Sequence, residues 1–168
     1  MAEPEFFSQP WADTVRDVLT AGPSAQARAG KLQEYWDFFE LITSMYPASW
    51  ALGCRDLPTE LGASPAYLYL QWDGGTVTDS RIIGPDDPPP ASPFTATYVL
   101  GMDYADWNAL HEGYDAQRTV MYRKILLEDG DLLEFFKTIY FFVECLSVVG
   151  SVPAHYPALT PHRNRGAA

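Results

Sequence analysis

The stretch at residues 131–150, DLLEFFKTIYFFVECLSVVG, constrains the fold most, because its helical pattern carries more apolar surface than one core contact can cover. A membrane span is disfavoured, because hydrocarbon would be costly for its charged residues Asp131, Glu134, Lys137 and Glu144. At about 100° per residue, one broad face collects the apolar residues Leu132, Phe135, Phe136, Ile139, Phe142, Val143 and Leu146. Phe141, Cys145 and Val148 fall on the opposite, polar side. We therefore expect a second layer, a partner subunit or a ligand to cover the remaining apolar surface.

The middle of the chain has the alternating patterns of β-strands. The predicted strands are SWALGCRD, AYLYLQW, TVTDSRII, FTATYVLG and RKILLEDGD. Asp73-Gly74-Gly75 predicts a hairpin between the second and third of them. The proline-rich residues 84–93 predict a stiff loop before the fourth.

Helical patterns lie on both sides of these strands. Helices are predicted at residues 10–21 with Ser8 as the cap, at 24–45, at 102–113 with Asp103 as the cap, and at 115–121 with Asp115 as the cap. Hairpin-linked strands between helices predict an α+β fold, with a mainly antiparallel sheet and helices on one face. We expect a single domain at residues 1–156 and a C-terminal tail at residues 157–168.

Charge and cysteine content exclude several classes of function. The net charge is −11, with 22 acidic against 11 basic residues. This charge repels phosphate backbones and anionic lipid, so we expect neither nucleic-acid binding nor stable membrane insertion. Cys54 and Cys145 are too few for a disulfide framework or a zinc site, and the N-terminus lacks the pattern of a signal peptide. A cytoplasmic protein without metal or cofactor is therefore predicted.

Residues 94–131 resemble the sterol carrier protein 2 (non-specific lipid-transfer) family. The matching features are the strand FTATY, the pattern Trp107-x-x-Leu110-x-x-Gly113, Asp115, and the final KILLEDGD. A helix with Trp11 and the hairpin YLYLQWDGGTV extend the resemblance to about residues 11–149. The chain departs from the family pattern in its acidity, in one extra residue before Gly130, and in Arg123-Lys124 where the family usually has Gly-Lys.

The resemblance implies a five-stranded sheet covered by helices, with an apolar tunnel between the layers. Such a tunnel would carry a lipid or another bulky hydrophobic molecule, fatty acyl, sterol or polyketide-like, without covalent chemistry. The residues expected to line it are Phe94, Tyr98, Trp107, Leu133, Phe136, Ile139, Tyr140 and Val143. The last helix would form part of its wall, which explains the surplus of apolar surface there.

Two other functions remain open from the sequence. A cavity enzyme could move a proton on a hydrophobic substrate with Asp56, expected on the inward side of its strand, and Tyr98 as the candidate groups. No nucleophile elbow, phosphate loop or zinc-protease motif supports such an activity. An interaction protein could instead form a homodimer through the last helix, with Phe141 and Val148 at the interface.

Overall fold

The computed structural model describes residues 2–87 and 96–158. Its centre is a five-stranded sheet with the spatial order β3-β2-β1-β4-β5. The strands are β1 (Ala48–Cys54), β2 (Ala66–Asp73), β3 (Thr76–Ile83), β4 (Thr97–Met102) and β5 (Ile125–Asp129). β1 and β4 are parallel, and the other neighbouring pairs are antiparallel. The predicted α+β fold with five strands is confirmed.

Alternation within the strands produces one strongly apolar sheet face. On β1, Trp50, Leu52 and Cys54 are buried at every second position. Leu68 and Leu70 continue this face on β2, where they lie opposite Leu52 and Trp50. This surface is the floor on which the helices pack.

Seven α-helices and a short 3-10 helix, Thr59–Leu61, accompany the sheet in the described residues. The α-helices are numbered in chain order. They are α1 (Gln9–Ala21), α2 (Ala25–Ala29), α3 (Gln33–Met45), α4 (Tyr104–His111), α5 (Ala116–Met121), α6 (Leu132–Lys137) and α7 (Ile139–Ser151). The caps predicted at Ser8 and Asp115 are confirmed, because each side chain accepts a hydrogen bond from a backbone N–H of the first helical turn. No helix of the described chain is both long and apolar enough to cross a membrane.

The helix predicted at residues 24–45 is interrupted. α2 ends before Gly30, and α3 starts only at Gln33. The weak helical pattern of the first half explains why the two parts do not merge.

The long apolar helix predicted at residues 131–150 is also two helices, and its buried residues differ from the predicted ones. Thr138 separates α6 from α7 with a φ of −118° and a ψ of 25°, outside helical geometry. α7 buries a wide arc that includes Phe142 and Leu146, so Phe141 and Cys145 are buried rather than exposed on a polar side. Phe136, on the predicted apolar face, is 51% exposed.

Phe141 anchors α7 on the apolar sheet face. Its ring centroid lies 5.8 Å from Trp50, 5.1 Å from Trp72 and 4.7 Å from Tyr46. Phe141 therefore belongs to the core of its own chain, and the predicted homodimer contact through this residue is wrong. Val148, the other residue proposed for that interface, is partly buried and packs against the same core.

We expect Phe141→Ala to lower the free energy of unfolding by about 3–5 kcal/mol, because it leaves a cavity between α7 and the sheet. Urea denaturation measures the change. Phe38→Ala on α3 is the matched control, since Phe38 is 53% exposed and should cost about 1 kcal/mol or less. Equal losses in both variants would contradict the packing described for Phe141.

Candidate ligand-binding cavity

A cavity of about 900 Å³ lies beside the β5 edge of the sheet, between β4, β5 and the helices α5, α6 and α7. Most of its lining is aliphatic or aromatic: Leu100, Val120, Met121, Ile125, Leu126, Leu127, Leu132, Phe135, Phe136, Ile139, Tyr140, Phe142 and Val143. Several of these side chains, including Met121, Phe136 and Tyr140, are more than half exposed, so the cavity opens to solvent along them. Its size and apolar lining are typical of sites for small hydrophobic ligands.

The break at Thr138 creates the cavity wall. α6 and α7 meet there, and residues on both sides of the break, Phe136 and Ile139, contribute to the same lining. Ile125, Leu126 and Leu127 of β5 line the cavity from the sheet side, at the edge of the sheet. Part of the surplus apolar surface predicted for residues 131–150 thus lines the cavity at the edge of the core.

Polar groups in the lining are few. The polar residues of the lining are Gln117, Arg123 and Tyr140. Aspartate, glutamate and histidine are missing from the lining that the described residues form.

Four of the predicted ligand-binding residues line the cavity, namely Phe136, Ile139, Tyr140 and Val143. Leu133, Tyr98 and Trp107 are not part of its lining. Leu133 is 75% exposed on the outside of α6, and Tyr98 is buried against the ring of Phe135 at a centroid distance of 5.2 Å. Phe94 lies outside the described residues, as does most of the proline-rich loop predicted before it.

Trp107 has a structural role at another place in the core. It is fully buried, and its indole N–H donates to the carbonyl oxygen of Gly53 at 3.0 Å. Its ring packs edge-on against Phe7 and Trp11. Trp107 therefore ties α4 and the N-terminal segment to β1, and we do not assign it to the cavity.

Sequence reasoning missed the contribution of α5 and β5. Ile125 and Leu127 could have been assigned from the alternation in KILLED, since both fall on the inward side of the strand. Val120 and Met121 carried no such signal, because α5 is too short to show a helical period.

The structure does not place Asp56, the acid proposed in the enzyme hypothesis, at the cavity. β1 ends at Cys54, so Asp56 lies in the following turn and is exposed rather than inward. Its carboxylate accepts a hydrogen bond from the backbone N–H of Tyr104 at 2.6 Å and thereby caps α4. Asp103 occupies the predicted cap position of α4, but its side chain makes no capping hydrogen bond and pairs with Arg55 at 2.9 Å.

Tyr98, the second candidate for proton transfer, is held in its neutral form. Burial is the largest cause that raises the pKa of its hydroxyl, and the carboxylates of Glu134 and Asp131 raise it further. A tyrosine with a raised pKa is a poorer acid, so this environment does not prepare Tyr98 for proton donation.

A buried acid lies behind the cavity wall. Glu144 of α7 is 8% exposed and accepts a hydrogen bond at 2.7 Å from the Tyr35 hydroxyl on α3. Lys31 pairs with the same carboxylate and lies 4.3 Å from the centroid of the Tyr35 ring. Burial and the bond to Glu144 raise the pKa of Tyr35. The cluster fastens α3 to the helix that lines the cavity.

We expect Glu144→Ala to lower the free energy of unfolding by about 1–3 kcal/mol, because it removes the partner of two polar groups at a buried position. Glu134→Ala, which breaks an exposed pair with Lys137 on α6, is the control and should leave the urea midpoint unchanged. A Glu144 variant as stable as the control would show that the cluster does not fasten α3 to α7.

Both cysteines are buried free thiols. Burial raises the pKa of the Cys54 thiol to about 12 and that of Cys145 well above its ordinary value. Thiolate, the reactive form, is therefore suppressed in the folded chain. Within the described ranges, no group of three or more histidine, cysteine or acidic residues is arranged to hold a metal ion.

We expect neither thiol to react with a disulfide reagent at about pH 8 in the folded protein, and both to react in guanidinium chloride, where their pKa returns to about 8.5. Absorbance of the released thiolate follows the reaction. Rapid labelling of the native protein would contradict the burial of these side chains.

The chain has the fold of sterol carrier protein 2. A crystal structure of sterol carrier protein 2 aligns with a TM-score of 0.64 at 16% identity, covering 89% of this chain and 100% of that chain. The solution structure of a conserved hypothetical protein from Thermus thermophilus, described as possibly a sterol carrier protein, aligns with a TM-score of 0.62 at 16% identity, covering 92% of this chain and 94% of that one. No family model and no curated protein matches the sequence. The resemblance stated from the sequence is confirmed at the level of the fold.

Proposed function

We propose that this protein binds and carries a lipid or another bulky hydrophobic small molecule in the cavity, without covalent chemistry. The observation that carries the proposal is the cavity of about 900 Å³, lined almost entirely by apolar side chains of β4, β5, α5, α6 and α7. The fold shared with sterol carrier protein 2 supports it, since that protein is named for carrying sterol. A cytoplasmic location is part of the proposal and rests on composition alone.

Affinity would come mainly from apolar burial. A ligand that removes about 300 Å² of apolar surface from water gains on the order of 7 kcal/mol before the costs of ordering and association. The exposed side chains Met121, Leu132 and Phe136 add to this gain, because they are both part of the lining and open to water when no ligand covers them. Binding would thus also cover apolar surface that the chain leaves exposed.

The net charge of −11 bears on delivery. It opposes close approach to anionic bilayers, so we propose release to a partner or to a neutral surface rather than docking on acidic lipid. The first measurement is native mass spectrometry of freshly purified protein, followed by organic extraction and identification of the bound molecule.

We expect Ile139→Asp and Phe136→Asp to abolish ligand uptake, because each places a carboxylate in the apolar lining, where its desolvation is unfavourable. Enhancement of Nile red fluorescence measures uptake, and circular dichroism verifies folding. Leu41→Asp is the matched control, since Leu41 is exposed on α3 and is not part of the lining. A folded Ile139→Asp variant that binds as well as the parent would refute the cavity as the binding site.

A further inference from the structure

We propose that the cavity contains a head-group subsite for an oxyanion, a carboxylate or a phosphate, in which Arg123 is the specificity-determining residue. The inference rests on the proposed function and deepens it. The ligand is then an anionic amphiphile, and a neutral sterol lacks the group that this subsite recognises.

The first observation is the polar lining of the cavity. The three polar residues of the lining, Gln117, Arg123 and Tyr140, are exposed, and their side chains make no hydrogen bond or ion pair with another described residue. The amide, the guanidinium and the hydroxyl all carry N–H or O–H donors. No carboxylate of the described residues shares the lining with them. Although the chain has 22 acidic residues, the polar residues of the cavity lining carry hydrogen-bond donors, and one of them is positively charged.

The second observation concerns the distribution of charge. In the part of the chain that the structure describes, the lysines and arginines are engaged in ion pairs with carboxylates, with two exceptions, Arg118 and Arg123. Both exceptions lie on α5 or in the turn that follows it. Lys124, the next residue after Arg123, is paired with Asp106 at 3.2 Å. Of the two unpaired cations, Arg123 belongs to the cavity lining and Arg118 lies outside it.

The third observation is the backbone of Arg123, which has a φ of 57°. Helix α5 ends in a Schellman motif, in which the N–H of Arg123 donates to the Val120 carbonyl at 3.1 Å and that of Lys124 donates to the Thr119 carbonyl at 3.0 Å. Glycine is the favoured residue at this left-handed position, because a Cβ atom is unfavourable there. Arg123 is thus a non-glycine residue in a conformation that favours glycine, and it belongs to the cavity lining.

Guanidinium matches the chemistry of an oxyanion. Its planar fork donates two parallel hydrogen bonds to a carboxylate or a phosphate, and these bonds are stronger than neutral ones. The apolar tail of such a ligand would extend along Ile139 and Val143, which line the same cavity. An ester or a sterol hydroxyl offers no charge to pair with Arg123, so its affinity would come from the apolar lining alone.

The test compares ligands of equal chain length, namely dodecanoate, methyl dodecanoate and dodecyl phosphate, by displacement of Nile red. Wild-type protein should bind dodecanoate or dodecyl phosphate about tenfold or more tightly than the ester, as expected for a charge-assisted hydrogen bond. Arg123→Gly should lose this preference, while its affinity for the ester stays unchanged. Arg118→Gln removes the same charge from α5 outside the lining and should keep the preference.

Thermal unfolding of Arg123→Gly supplies a second readout, in which the variant should improve while its ligand preference is lost. Glycine relieves the left-handed backbone, so the melting temperature should rise by about 2–4 °C while the oxyanion preference disappears. A purely structural role for Arg123 would move neither the preference nor the ester affinity.

Each outcome decides between defined alternatives. Tighter binding of dodecyl phosphate indicates a phosphate head group, and tighter binding of dodecanoate indicates a fatty acid. If wild type binds acid and ester equally, or if Arg123→Gly keeps the preference, the subsite is refuted while the proposed function stands. If wild type binds no apolar probe, the proposed function fails and the subsite fails with it.

Discussion

The contact of Phe141 with the aromatic residues of β1 and β2 sets the position and rotation of α7, and most of the structure depends on it. Trp50 and Trp72 form the surface under the Phe141 ring, and Tyr46 covers it from the end of α3. Aromatic rings bury large areas and pack in preferred tilted or edge-on geometries, so such a cluster fixes orientation as well as distance. With α7 held in this rotation, Val143 and Ile139 line the cavity beside it.

A second aromatic cluster stabilises the other side of the helical layer. Phe6, Trp11 and Trp107 are fully buried and in mutual ring contact, and α1 packs from there along β3. The two clusters fill the core under β1, β2 and β3. At the β5 edge the helices α5 and α6 are short, and the space between them and the sheet is the cavity. Tight packing in one half and a cavity in the other thus follow from where the large side chains are placed.

The charges are distributed unevenly between surface and cavity. Acidic residues dominate the chain, yet none lines the cavity in the described structure, where an arginine and two neutral polar side chains are the polar groups. Glu144, a buried acid on α7, accepts the hydrogen bond of the Tyr35 hydroxyl and pairs with Lys31. Burial keeps the Tyr98 hydroxyl protonated, since it raises the pKa of that group, and Asp56 serves as a cap at a distance from the lining. This arrangement suits recognition of a ligand better than proton transfer to it.

Local patterns in the sequence determined the element types, the fold class and the resemblance to sterol carrier protein 2. Strand alternation, the Asp-Gly-Gly turn and the caps at Ser8 and Asp115 depend on residues close together in sequence, so they can be recognised without the tertiary structure. Only the tertiary structure decided which apolar residues of 131–150 fill the core and which line the cavity. α7 is buried over a wider arc than the continuous helical pattern indicated, so Phe141 lies in the core although that pattern placed it on the polar side, and Phe136 on α6 lies at the cavity. Arg123 reached the site in the same way, because its position depends on how α5 ends and packs against α7, contacts that no local pattern in the sequence encodes.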